Sequence, residues 1–389
     1  MNDLERICRR FGFKRALNAM GMPTILGANT ASPYVRQAVD DILQISVEID
    51  ELQAAACRVI ARATGAEAGC VTASCSAGLV IAAAAAMTGP DLAKIGRLPD
   101  TGGMPDEVAL MLAHDVNFGA PVSQMVRLSG ARCRYIGTAS HCDEFDVRGA
   151  LHEKTAALFY VHSRVVNPAG DYFPTLEQCA ALARAKDVPL VVDVAAAVDV
   201  RPFLATGADL VITSAHKQMG APTAGMICGR LDLVRACYLQ NYGIGRAMKV
   251  GKEGIAGCMA AAEAWYSRDA AEQERNWRKL AAILAEKLPL REGAAPYAAI
   301  CPVPESVGLT ARAVANRLRE GDPPVWVKHA DDERRELHLD LRTMNEADAG
   351  RIADCLVRVF ENPVPPAEDV PFHDLYWSER RLLEWPSWP

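Results

Sequence analysis

The stretch PLVVDVAAAVDVRPFLATGADLVITSAHKQMGAPTAGMICGR, residues 189–230, decides the fold. Two short apolar runs stand in it. The first ends on Asp193, and the second ends at Ser214 with Lys217 just beyond, ahead of a Gly/Pro-rich turn. A charge at the carboxyl end of a strand is poorly placed for a core. It is well placed for a site, because in open α/β sheets ligands bind in the crevice outside those ends.

Outward from this stretch, helical patterns alternate with short apolar strands from about residue 50 to 255. SVEIDELQAAACRVIARATG (46–65) has helical spacing and stops at a glycine. EAGCVTA reads as a strand and SAGLVIAAAAAMTG as a helix. Further strands are expected at VALML, RCRYIG, AALFYV, PLVVDV, DLVITS and AGMICG, with helices such as TLEQCAALARAKD between them. The alternation predicts βαβ units in an α/β fold with a mostly parallel sheet. Near residue 256 the pattern changes to one long helical run, IAGCMAAAEAWYSRDAAEQERNWRKLAAILAEKL. After it come YAAICPV, a helix near TARAVANRLRE, the strand pair VWVKHADD and RELHLDLRT, and the helix EADAGRIADCLVRVF. The expected organisation is an N-terminal segment (1–49), a large domain (50–255), a small α+β domain (256–365) and a Pro-rich, aromatic tail (366–389).

Composition agrees with this. A chain of 389 residues, 50% hydrophobic, can bury a large core and exceeds one average domain. A net charge of -6 argues against a broad nucleic-acid footprint, which needs a basic surface. The N-terminus is charged, and the most apolar run, AGLVIAAAAAM (77–87), is too short to span a bilayer. A soluble, cytoplasmic protein without a membrane partner is expected. The 12 cysteines show neither a CxxC pair nor metal-ligand spacing, so they read as reduced core residues with no metal site.

Lys217 is a candidate imine-forming amine, and alone it is an ordinary turn lysine. Asp193 changes the weighing. It follows LVV and precedes VAAAV, so it should be buried, and a buried carboxylate needs a cationic partner. The pyridinium nitrogen of pyridoxal 5'-phosphate (PLP) is one such partner; a helix cap or a pair with Arg201 is the plain alternative. Ser214 and Thr213 stand ready for a phosphate. So does TASCSAGL (72–79), a strand-to-helix turn in which Ser74, Cys75 and Ser76 open a helix N-terminus. His216 flanks the lysine. LAHDVNFGAP (112–121) offers His114 as the residue facing a flat ring and Asn117 toward a substrate. GIGRAMKVGKEG (243–254) lacks a dinucleotide fingerprint and places Arg246, Lys249 and Lys252 together, suited to a phosphate or carboxylate. Arg342, at the end of ELHLDLRT, can clamp a carboxylate or pair with Asp340 or Glu346. Asn29, in LNAMGMPTILGANTASPYV, is a further substrate-side candidate.

Together these residues resemble fold-type I PLP enzymes, and within them the relatives of bacterial selenocysteine synthase (L-seryl-tRNA(Sec) selenium transferase). The likeness is greatest to D-glucosaminate-6-phosphate ammonia-lyase-like proteins. It begins at LNAMGMPTILGANTASPYV, runs through LPDTGGMPDEV and VVDVAAAVDV…GADLVITSAHKQMGAPTAGMICGR, and ends near IGRAMKVGKEGIAG, about residues 15–265. The resemblance implies that Lys217 holds PLP covalently and that Asp193 pairs with its ring nitrogen. Ser214 and the Ser74–Ser76 turn would hold its phosphate, and the site would be shared within a homodimer or larger oligomer. SAHK departs from the SGGK or SGDK of these relatives and matches the SxHK of class V aminotransferases and cysteine desulfurases. A desulfurase needs a cysteine on a mobile loop, and neither Cys301 nor Cys355 lies in a Gly/Ser-rich one. Selenium transfer is not expected, because no basic tRNA-binding domain precedes the fold. The expected activity is α-proton abstraction and β-elimination on an amino acid or amino sugar acid, giving a 2-keto acid and ammonia. Racemisation, transamination or PLP binding without turnover are the alternatives.

Overall fold

The computed structural model describes residues 6–163, 172–329, 334–371 and 383. Among them are twelve strands: β1 (Leu17–Ala19), β2 (Ala68–Thr72), β3 (Glu107–Met111), β4 (Arg132–Ile136), β5 (Thr155–Val161), β6 (Leu190–Asp193), β7 (Leu210–Ser214), β8 (Gly225–Gly229), β9 (Arg291–Glu292), β10 (Ala298–Pro302), β11 (Val325–His329) and β12 (Glu336–Asp340). The chain divides into two units, Ala31–Ser267 and Met1–Thr30 with Arg268–Pro389.

The first unit holds a seven-stranded sheet in the order β2-β8-β7-β6-β5-β3-β4. β3 to β7 run parallel, and β8 runs against both of its neighbours. Successive residues serve opposite faces. Val108, Leu110, Phe159, Val191, Leu210 and Ile212 pack into one core, which includes the helix Cys75–Thr88. Ala109, Met111, Leu158, Tyr160, Val192 and Val211 pack into the other. Each fully buried large aliphatic or phenyl side chain contributes roughly 1.5–3 kcal/mol. The helix Cys75–Thr88 is buried nearly all round, and Gly78 lets it lie close to the strands: a Cβ there would fall 2.8 Å from Ile212 Cγ2.

The second unit is built on a five-stranded sheet, β1-β11-β12-β10-β9. Here the expected boundaries change. The first thirty residues are not a separate segment, because β1 pairs in parallel with β11 across some three hundred residues of chain. Residues 31–49 join the large unit instead: the helix Pro33–Leu43, capped by Ser32, packs on the helix Lys252–Tyr266. The single long helix expected from 255 is two, Lys252–Tyr266 and Ala270–Ala285. Asp269 caps the second by accepting from Ala271 N at 2.8 Å, which restarts the helix. The start of the tail lies on the second unit, where Asn316 Nδ2 donates to Val370 O at 2.9 Å. The residues beyond 371, Leu383 apart, lie outside the described residues, and with them the aromatic side chains of the tail.

All twelve cysteines are free thiols; nine are buried, and Cys8, Cys57 and Cys133 are half-buried rather than in the core. No helix among the described residues is long and apolar enough to cross a membrane.

Candidate active site

Because β3, β5, β6 and β7 are parallel, their carboxyl ends share one edge of the sheet. β2 and β7 both run against β8, so β2 ends there too, and β8 begins there. Gly225 thus pairs with both Thr72 and Ser214. A Cβ on Gly225 would sit 2.4 Å from the Ser74 carbonyl and 2.5 Å from Thr72 Oγ1. Glycine at this point lets the turn that opens the helix Cys75–Thr88 sit against the end of β7.

Asp193 ends β6 with 7% of its surface exposed. Its Oδ1 accepts from Ala195 N at 3.0 Å and from the Cys75 thiol at 3.4 Å. Its Oδ2 has no hydrogen-bond partner among the described residues. Burial raises the Asp193 pKa, against the opposing pull of the thiol, the amide and the Lys217 ammonium. Arg201 does not reach it; that guanidinium is bound by Asp199 at 2.7 Å.

Lys217 is half-buried in a loop that folds back on β7. Ala215 N donates to Ala224 O at 3.0 Å, Ala221 N to Ala215 O at 3.1 Å, and Lys217 N to Ser214 O at 3.3 Å. Gln218 ties this loop to the segment after β6 by donating to Ala196 O at 3.0 Å. The lysine's positive charge acts on three neighbours. It favours the ionised forms of Asp193 and Cys75 and opposes protonation of His216, whose pKa is lowered first by burial.

Ser74 caps the helix, accepting from Ala77 N at 3.0 Å and sharing a 2.8 Å hydrogen bond with Ser76 Oγ. The amides of Cys75 and Ser76 make no hydrogen bond within the described residues, which leaves two donors for an anion. Ser214 Oγ shares a 3.0 Å hydrogen bond with His216 Nδ1. Thr213 falls out of the phosphate set: strand alternation turns it to the other face, where it donates to Val194 O at 3.2 Å.

His114 differs from expectation. It lies in a 3-10 turn after β3 with 0% exposure, so it offers no open face to a ring. Its Nδ1 accepts from Val161 N at 3.1 Å, which places the proton on Nε2, and Nε2 is buried without a partner. Burial, and then the charge of His162, push its pKa down to about 4. It is a neutral core histidine set edge-on to Tyr160 at 4.6 Å. The histidine that the sequence reading passed over is His162, directly after β5. Its backbone N–H donates to Asp193 O at 2.8 Å, and its exposed ring meets Phe203 edge-on at 4.8 Å. Partial desolvation lowers its pKa. The available signal was position, one residue beyond a buried strand beside β6.

Asn117 is exposed and folds its side chain onto Gly119 N at 3.0 Å. Arg246 and Lys249 are exposed and have no ion-pair partner among the described residues. Lys252 separates from them, donating to Leu43 O at 3.3 Å on the last residue of the helix Pro33–Leu43, and to Ile45 O just beyond it. Asn29 and Arg342 belong to the other unit. Asn29 caps its own loop by accepting from Thr30 N at 2.8 Å. Arg342 grips Asp340 through Nε at 2.9 Å and Nη2 at 2.5 Å and lies 4.0 Å over the Tyr297 ring.

A buried carboxylate with one open oxygen, an amine at the next strand end and two open helix amides are the donor and acceptor set that PLP requires. The residues present fit that group.

The SelA family profile, L-seryl-tRNA selenium transferase, matches residues 50–295. The D-glucosaminate-6-phosphate ammonia lyase of Salmonella typhimurium is 34% identical over 364 residues, 92% of this chain and 98% of that protein. A 5'-C-glycyluridine monooxygenase-decarboxylase from a Streptomyces species is 36% identical over 351 residues, 87% of this chain and 88% of that one. The solved structure of D-glucosaminate-6-phosphate ammonia-lyase superposes with a TM-score of 0.85 at 34% identity, covering 91% of this chain and 98% of its own. The strand order and this superposition make the fold that of the type I PLP enzymes. The profile match and the near full-length relatives lead to one assignment: the chain belongs to the SelA, or L-seryl-tRNA selenium transferase, family.

Proposed function

We propose that this protein is a PLP-dependent lyase that removes ammonia from an amino acid or amino sugar acid bearing a β-hydroxyl, leaving a 2-keto acid. The observation that carries this reading is Asp193: buried, open at Oδ2, and close enough to Lys217 to feel its charge. When bound, PLP supplies a protonated conjugated ring that accepts the electron pair released at the substrate Cα. Asp193 holds the negative charge that keeps such a ring protonated. Lys217 would supply the amine that anchors the cofactor, and the same amine would serve as the base that takes the proton from the substrate Cα. Ser74, Ser214 and the open amides of the Cys75–Thr88 helix would hold the phosphate. Arg246 and Lys249 attract the substrate's carboxylate or phosphate. The reaction is redox-neutral: water leaves across Cα–Cβ and is regained as the amine departs, so no oxidant is consumed.

A second reading rests on the 36% identity to the monooxygenase-decarboxylase. The electron pair left at Cα would then reduce molecular oxygen, the substrate being oxidised and its carboxyl leaving as carbon dioxide. We place the protein in the cytoplasm, in keeping with its free thiols, and as a homodimer. The exposed Leu43, Ile45 and Ile49 of the large unit support a second copy as the partner.

The test is the visible spectrum of the purified protein with added PLP, wild type against Lys217→Ala. A lysine-linked chromophore in the wild type alone is expected, with activity down by ~10³-fold or more in the variant. Screening β-hydroxy amino acids and aminated sugar acids should then show ammonia and keto acid without oxygen uptake. Oxygen consumption matched to carbon dioxide release selects the second reading. A chromophore that survives in the variant removes Lys217 from the mechanism.

A further inference from the structure

We propose that Cys75 is a positioning residue: its thiol holds Oδ1 of Asp193, so that Oδ2 is the oxygen presented to the cofactor's ring nitrogen. This rests on the PLP reading above and assigns a role to a side chain that the sequence placed only in a phosphate turn.

The geometry is specific. Cys75 is the first residue of a fourteen-residue helix, with 8% of its surface exposed. Its backbone is fixed on both sides: Ser74 Oγ accepts from Ala77 N at 3.0 Å, and Thr72 Oγ1 donates to Ser74 O at 2.8 Å. From that anchored position Sγ reaches Asp193 Oδ1 at 3.4 Å, across 118 residues of sequence. Ala195 N, at 3.0 Å, approaches the same oxygen. Among the described residues two donors reach Oδ1 and none reaches Oδ2, which sets the carboxyl plane and leaves the Oδ2 lone pairs for a cation.

The choice of a thiol has a reason. Burial and the adjacent carboxylate both push the Cys75 pKa up, so the group stays S–H and remains a donor. A thiol is also a weak donor. It orients the carboxylate without neutralising it as an ammonium would, and leaves its charge for the ring. The rest of the helix fills the same core with purely apolar groups, Leu79, Ile81, Met87 and the run Ala82 to Ala85, none of which reaches a carboxylate.

The experiment compares wild type, Cys75→Ala and Cys75→Ser, each stripped of PLP and retitrated. Readouts are the PLP dissociation constant, the pH midpoint of the bound cofactor's visible band, and Tm without cofactor. Losing one charge-assisted hydrogen bond predicts about tenfold weaker PLP binding in Cys75→Ala. Its spectral midpoint should move to lower pH, since a misaimed Asp193 holds the ring proton less well. Cys75→Ser should restore both to within about threefold, because a hydroxyl reaches the same oxygen. If Cys75→Ala does not fold, the serine variant decides: wild-type binding supports the role, and tenfold weaker binding overturns it. Alanine and serine variants that match wild type, or that shift together, reduce Cys75 to packing while leaving the PLP reading intact. A wild type that binds no PLP overturns both.

Discussion

Both sheets end a strand on an aspartate, and the two aspartates are treated in opposite ways. In the five-stranded sheet, β12 ends at Asp340, and Arg342, two residues on, closes on both of its oxygens. Arg342 in turn stacks on Tyr297, which sits edge-on to Trp277 at 5.4 Å. The pair is complete within its own unit. In the seven-stranded sheet, β6 ends at Asp193 with one oxygen served and the other left open. Local completeness marks a structural charge; a buried charge left incomplete marks a place where something else must bind.

The sharpest way to break this comparison is to neutralise both aspartates. Asp193→Asn should cut turnover by ~10³-fold, about 4 kcal/mol of transition-state stabilisation. It should leave the Tm of the cofactor-free protein unchanged or higher. The sign follows from linkage: the folded pKa of Asp193 lies above its unfolded value, so its contribution is favourable at low pH and is lost as pH rises. At neutral pH the carboxylate opposes folding until a cation arrives. Asp340→Asn should do the reverse. It leaves Arg342 half-buried without its anion, costs about 2 kcal/mol of stability and lowers Tm. Differential scanning calorimetry alongside ammonia release separates the two. If both variants lose Tm equally, the distinction between the sites is wrong.

His114 sharpens the comparison with a buried group that stays uncharged. Its pKa of about 4 lies below the ordinary histidine value, so the unfolded chain binds a proton that the folded one refuses. Its contribution is fully present above pH 6.5 and is lost as pH falls toward 4, by about 3 kcal/mol at pH 4. His114→Asn, whose Oδ1 can replace Nδ1 as the acceptor for Val161 N, should flatten stability between pH 4 and 6.5. Urea denaturation across that range measures the slope. An unchanged slope would falsify the assignment of acid sensitivity to this residue.

These contrasts also explain what the sequence could convey. Apolar runs punctuated by a charge made β6, β7, Asp193 and Lys217 legible, because burial on both faces leaves no other reason for the punctuation. β1 was not legible: Leu17–Ala19 is three residues without a period, and its partner β11 lies at the far end of the chain. The reversed direction of β8 depends on a loop, residues 215–224, whose folding back is held by backbone bonds that any residue could make. His114 sits in LAHDVNFGAP, which has a loop's composition, and only the packing of β3 against β5 buries it. The Cys75–Asp193 contact joins two turns whose meeting depends on helix placement rather than on local pattern.

The smallest expected effect concerns the three basic residues that look equivalent in GIGRAMKVGKEG. Lys252 is committed to the fold, with its ammonium on the Leu43 carbonyl, so Lys252→Gln should lower Tm and leave KM alone. Arg246 and Lys249 are exposed, and no ion pair among the described residues depends on their charge. An exposed charge in water interacts weakly with a ligand anion and is screened by salt. Arg246→Gln and Lys249→Gln should therefore each raise KM by about fivefold, keep kcat within about twofold and leave Tm unchanged. The effect should shrink as ionic strength rises. A kcat loss that is independent of salt would mean that one of them touches the reacting atoms. Unchanged KM in both would remove Arg246 and Lys249 from substrate recognition and leave Asp193 and Lys217 as the charges tested by the variants above.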